Sequence, residues 1–192
     1  MTVKILGISG SLRRGSLNSM ALRAAERLVP EGAAIDIFDR LREIPPYDDD
    51  ERASTGFPPA VEALREGIRA ADALLIVSPE YNYTVPGVLK NAIDWASRAP
   101  DQPFADKPVA IMGASPGLLG TARMQYQLRQ CFVFLDSRVL SKPEVMIGGA
   151  AQKFDAEGNL TDDVTGNLIA ALLTALVAWT ERLRPRAAAT ED

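Results

Sequence analysis

The chain has 192 residues, 47% of them apolar and 24% charged, a mix that suits one globular domain with a sizeable core and argues against a disordered class. A net charge of −4, from 21 basic and 25 acidic residues, gives nucleic acid no electrostatic foothold, and the one cysteine, Cys131, excludes an intramolecular disulfide. Histidine is absent, which excludes Ser-His-Asp and Cys-His catalysis and HExxH zinc sites and leaves the chemistry to carboxylates, lysine, tyrosine or a cofactor.

The chain passes straight from Met1 into an apolar segment, VKILGIS at residues 3–9, which is too short for a signal-peptide core. No apolar run reaches transmembrane length, so a soluble protein of the reducing cytoplasm is expected, without membrane or nucleic-acid partners. The segment lacks polar alternation, as a parallel strand covered on both faces does. It is followed by GSLRRGSLN, residues 10–18, and then by a helix at 18–28 that ends before Pro30. Gly10 and Gly15 permit a tight turn, Ser11, Ser16 and Asn18 offer short donors, and Arg13 or Arg14 adds charge at a helix N-terminus, the elements of a phosphate cradle. A nucleoside-triphosphate loop is excluded because Ser16 stands where that motif needs lysine. The dinucleotide fingerprint is excluded because the glycines fall at 7, 10 and 15. The same residues also read as an ordinary serine-capped turn between strand and helix.

A second strand is expected at 34–38 (AIDIF), a surface loop rich in Pro, Asp and Gly at 40–58, and a helix at 59–71 with Val61, Leu64 and Ile68 at helical spacing. The third strand, 73–78 (ALLIVS), runs into SPEYNYTVPGVLKNAIDW. There Pro79 and Pro86 stiffen the turn, and Glu80, Tyr81, Asn82 and Tyr83 put two aromatic faces at the strand's carboxyl end, fit to wall a planar heterocycle. Alternatively the tyrosines cover core or meet a second subunit. Lys90 and Asp94 have the spacing of a solvated helical pair, and Trp95 that of packing or interface. A fourth strand at 109–113 (VAIMG) leads into GASPGLLGTAR, where Ser115 and three glycines permit close backbone approach, or form a plain loop before a helix capped by Thr121. That helix, 122–136, holds Cys131 in an apolar stretch, as core. Residues 138–140 and 145–147 both look extended, with Lys142 and Pro143 between them, so the fifth strand belongs here without fixed limits. A last helix is expected at 164–183. Residues 1–184 read as one domain and 185–192 as a frayed tail.

Alternating strands and helices predict a doubly wound parallel sheet, whose ligands sit beyond the strands' carboxyl ends where strand order reverses. The loops after residues 9, 78 and 113 are therefore expected to share one crevice.

GSLRRGSLN, SPEYNYTVPGVLKNAIDW and the helix ARMQYQLRQCFVFLD resemble the NADPH-dependent FMN reductases, the chromate and quinone reductase type above all, and the resemblance runs from Lys4 to Leu183. It implies a flavodoxin-like three-layer α/β/α fold with a five-stranded parallel sheet in the order 2-1-3-4-5. It implies FMN bound without a covalent bond, NADPH or NADH as electron donor, and homodimers that pair into tetramers. By the same resemblance Ser11, Arg13, Ser16, Leu17 and Asn18 hold the FMN phosphate and ribityl chain. Pro79, Glu80, Tyr81, Asn82 and Tyr83 line the isoalloxazine ring, and Ser115 and Gly117 close its other side. The third loop, ASPGLLG, departs from the Ser-rich or Gly-Gly versions of the family. No side chain is assigned a catalytic role. The implied reaction is ping-pong transfer to small acceptors such as quinones, flavins, azo compounds or chromate. A flavodoxin-like electron carrier that never meets nicotinamide is the alternative.

Overall fold

The computed structural model describes residues 2–184, so the expected frayed tail lies outside the described residues. In chain order the elements are β1 (Val3–Ser9), α1 (Leu17–Leu28), β2 (Ala33–Phe38), α2 (Asp49–Thr55), α3 (Pro59–Ala70), β3 (Ala73–Val77), α4 (Gly87–Ala96), β4 (Pro108–Ala114), α5 (Ala122–Phe134), β5 (Arg138–Val139), β6 (Val145–Ile147) and α6 (Asp163–Leu183). All strand pairs are parallel, in the order β2-β1-β3-β4-β5, with β6 also on β4. The register sets Ile5 against both Ile35 and Ala73, and Ile76 against Ile111.

The near-continuous apolar runs of β1, β3 and β4 follow from having a core on each face. Leu6, Ile8, Leu74, Ile76, Val109 and Ile111 join one core with α3, α4 and α5. Ile5, Leu75, Val77, Ala110 and Met112 join the other with α1 and α6. α1 comes so close to the sheet that a Cβ on Gly7 would lie 2.7 Å from a Leu22 methyl. Against the expectation that no apolar run reaches transmembrane length, α6 does so by length and composition, yet Thr165, Ile169, Leu172, Leu173, Leu176 and Thr180 are buried at helical spacing along one face, which is how a core helix packs.

One expectation is corrected and another is given its limits. Residues 40–58 are not all loop: Asp48 caps α2 by accepting the Asp50 N–H at 2.9 Å, and Asp49, Asp50 and Glu51 complement the positive end of the helix. The fifth sheet position is shared by β5, beside Pro108 and Val109, and β6, beside Met112–Ala114. Pro143, which has no N–H to give a ladder, falls between them.

Arg65 of α3 is buried, its Cζ 4.0 Å from the Phe57 ring centroid, and it donates to the carbonyls of Ala96 (2.7 Å), Arg98 (2.8 Å), Pro100 (2.5 Å) and Asp101 (3.4 Å). It thereby ties down the chain leaving α4. Burial lowers its pKa from the ordinary value, but an arginine side chain stays charged.

Asp162 caps α6 through the Thr165 N–H (2.8 Å) and meets Lys153 Nζ (3.0 Å). The hydrogen bonds from Thr165 and Lys153 hold its pKa down at about 2, against an ordinary 3.8. A depressed carboxylate pKa stabilises the fold above the unfolded value, and that stabilisation fades as pH falls through the folded one. Asp162→Ala is expected to melt a few degrees below the parent at neutral pH, with the gap closing as pH drops from 3.8 toward about 2. Melting curves against pH check this; a gap that persists unchanged in acid contradicts it.

Candidate functional site

The three loops at the carboxyl ends of β1, β3 and β4 meet, as the topology requires. The Gly10 N–H donates to Val77 O at 2.9 Å, and the Ser78 N–H to Met112 O at 3.1 Å. A Cβ on Gly10 would lie 2.4 Å from Ser78 Oγ, and one on Gly113 would lie 2.2 Å from Ser78 O and 2.3 Å from Thr121 Oγ1. Glycine stands at both places because another backbone or hydroxyl already fills the space a side chain would take.

In the first loop, Ser16 is the N-cap of α1, its hydroxyl accepting the Ser19 N–H at 3.3 Å. The first-turn N–H groups of Leu17 and Asn18 have no protein acceptor among the described residues, so the positive end of α1 is open to an anion. Ser11 is half-buried beside them. The Arg13 guanidinium folds back on its own loop, donating to Gly15 O through Nη2 (2.8 Å) and Nε (3.2 Å), and has no carboxylate partner among the described residues. Asn18 differs from its expected role. Its side chain is buried and bonded to Ala114, Nδ2 to the carbonyl (2.9 Å) and Oδ1 from the N–H (2.8 Å). The amide therefore joins the first loop to the third.

In the second loop, Pro79 is buried and residues 81–84 close on themselves, Tyr81 N–H to Thr84 O at 3.1 Å and Thr84 N–H to Tyr81 O at 3.0 Å. Asn82 (φ 48°) and Tyr83 (φ 70°) both lie in the left-handed region, the pattern of a type I′ turn without its usual glycine. Asn enters this region readily, but Tyr83 stands where glycine is usual at a cost of about 1–2 kcal/mol, so the turn is helped by being held from outside. α5 holds it. Gln127 Nε2 donates to Tyr83 O at 3.1 Å, Thr84 Oγ1 donates to Gln127 Oε1, and the Arg123 guanidinium lies 3.6 Å over the Tyr83 ring. The Glu80 side chain, 5% exposed, is turned onto the start of α5. Its Oε2 accepts the N–H groups of Arg123 and Met124, each at 3.1 Å, and its Oε1 pairs with Arg123 Nη2. Tyr81 and Tyr83 are exposed.

The third loop is braced from behind by residues 147–150: the Ser115 N–H donates to Ile147 O, the Ala150 N–H to Ser115 O and the Gly149 N–H to Gly117 O. Ser115 Oγ accepts the Gly117 N–H at 3.1 Å, and residues 116–119 are exposed around it. The Ser, Asn, Tyr and Gly residues singled out in the sequence thus fall on three touching loops. Arg123 and Gln127 were not anticipated as functional residues, although their spacing of four on a helix puts both on the face that meets the second loop.

A family model described as NADPH-dependent FMN reductase matches residues 3–152. The chain is 60% identical over 182 residues to an NAD(P)H-dependent FMN reductase of Pseudomonas aeruginosa, covering 95% of this chain and 97% of that one. It is 46% identical over 183 residues to a quinone reductase of Escherichia coli, covering 95% and 97%. Among solved structures it resembles FerB, a flavoenzyme NAD(P)H:(acceptor) oxidoreductase of Paracoccus denitrificans, with a TM-score of 0.85 and 33% identity over 94% of this chain and 98% of that one.

Proposed function

The chain belongs to the NADPH-dependent FMN reductase family, and from that membership we propose that the crevice binds FMN non-covalently and serves electron transfer from a reduced nicotinamide to small acceptors, quinones first among them. The observation that carries this reading is the junction of the three loops, with Asn18 bonded across to Ala114 and Gly10 and Gly113 both pressed on Ser78.

The donor set fits a singly phosphorylated group. Open N–H groups at the start of α1, the Ser11 hydroxyl and an arginine without a carboxylate partner suit a phosphate monoester, and no cluster of metal-ligating side chains occurs among the described residues. Ser11, Arg13, Ser16 and the backbone of Leu17 and Asn18 would hold the phosphate end. The backbone of residues 79–83 and the loop of Ser115 and Gly117 would border the flat ring. Bound FMN supplies the redox chemistry, taking a hydride from the nicotinamide and giving electrons to the acceptor. The chain's part is to hold the cofactor and leave one face open, which the exposure of Tyr81, Tyr83 and residues 116–119 supports. One open face for two substrates implies ping-pong kinetics and breadth of acceptor, with azo compounds and chromate among the candidates. Exposed Tyr126, Val133 and Phe134 on α5 suit a homodimer, and a single thiol suits the cytoplasm.

The purified protein is expected to be yellow and to bleach on anaerobic addition of NADPH. Protein that takes up FMN but leaves NADPH unoxidised is an electron carrier, and protein that ignores FMN defeats the reading altogether. Arg13→Ala is expected to weaken FMN retention about tenfold while the FMN-loaded fraction turns over at nearly the parental rate. Flavin content after gel filtration checks this, and equal content in both proteins counts against the phosphate assignment.

A further inference from the structure

The type I′ turn of residues 81–84 belongs to the loop read above as bordering the ring, and its second left-handed residue is Tyr83 where glycine is usual. Its anchors, Arg123 and Gln127, both sit on the first turns of α5, so the position of that helix end decides the position of the turn. α5 lacks the usual means of fixing its own start. Its N-cap residue, Thr121, makes no capping bond to the first-turn N–H groups, and the Thr121 hydroxyl instead accepts Gln125 Nε2 at 3.1 Å. The cap comes from another element. Glu80, at the root of the second loop, lays one carboxylate oxygen on the Arg123 and Met124 N–H groups and the other on the Arg123 guanidinium. Among the described residues it is the one ion-pair partner of Arg123, and Arg123 Nε is buried with no acceptor. A carboxylate suits this place, since it meets a helix N-terminus and an arginine together.

Resting on the flavin reading of the crevice, we propose that Glu80 is a positioning residue for the cofactor: by clamping the start of α5 and the Arg123 guanidinium it holds the Asn82–Tyr83 turn in the geometry that faces the ring, without touching the ring by its own side chain. The chain of contacts is closed. Glu80 orders Arg123, Arg123 lies over Tyr83, Tyr83 is in the strained turn, and the turn leads back through Tyr81 to Glu80. Glu80→Gln keeps the shape but has one acceptor oxygen where the carboxylate has two, and it sets an NH2 or a neutral oxygen against Arg123. The guanidinium is then released from its stack on Tyr83.

The test uses the FMN-loaded protein and three variants: Glu80→Gln, Glu80→Ala, and Arg65→Met as a control that loosens the fold away from the crevice. FMN affinity, the midpoint potential of the bound flavin and its visible circular dichroism are measured beside thermal stability. Glu80→Gln is expected to weaken FMN binding about tenfold and to displace both the potential and the dichroism band, with Glu80→Ala going further. Arg65→Met is expected to lower the melting temperature and leave the flavin signals of the loaded protein as they were. A Glu80→Gln protein with parental affinity, potential and dichroism overturns the proposal, as does an equal disturbance in the Arg65 variant. A parent that binds no FMN overturns the reading of the crevice and this proposal with it.

Discussion

Asn18→Ala is expected to destabilise the protein by about 2–4 kcal/mol, because it strands a buried donor and a buried acceptor together. The Ala114 N–H and carbonyl lie at the end of the fully buried strand β4, and both are satisfied by the one amide, at 2.8 and 2.9 Å. For a domain of this size the loss corresponds to a melting temperature about 5–10 °C lower. The same change should weaken FMN binding, since the first and third loops lose their direct bond. Asn18→Asp is expected to be no rescue: it keeps an acceptor for the Ala114 N–H but turns an oxygen toward the Ala114 carbonyl. Chemical denaturation and flavin titration of both variants check the point. Normal stability in Asn18→Ala would mean that the bridge is dispensable.

Arg65→Met is the second large effect, about 3 kcal/mol or more, with the opposite functional signature. Four carbonyls between Ala96 and Asp101 lose their donor at once, and the contact with Phe57 weakens. Lysine is expected to recover little, because one ammonium cannot reproduce a planar fork spread over several acceptors. Denaturant midpoints should fall for both variants, while the flavin spectrum of the folded fraction stays parental. A variant of normal stability that fails to hold FMN would contradict this division between the two ends of α4.

What the sequence made legible tracks what is buried on both sides. β1, β3 and β4 stand out because each must supply apolar side chains to two cores, which removes polar alternation. The junction of the three loops was legible too, as a consequence of strand order and without any one motif. Roles inside the loops were not. Asn18 and Glu80 have the chemistry of ligand-binding groups, and composition alone cannot tell a side chain that faces a ligand from one that ties two loops together. The Pro- and Asp-rich stretch hid α2, whose signal was the run of acids after Asp48. The last sheet position was blurred because its strands have two and three residues, too few to show a period.

The broken margin of the sheet has one more effect. An edge strand offers a row of unpaired N–H and carbonyl groups onto which another chain can add. Here that row is interrupted by Lys142, Pro143 and Glu144 on the β5–β6 side, and on the β2 side it carries the charge of Asp36 in mid-strand. Growth by strand addition is thus discouraged at both margins, which leaves the helices and loops that frame the crevice as the surfaces open to another copy.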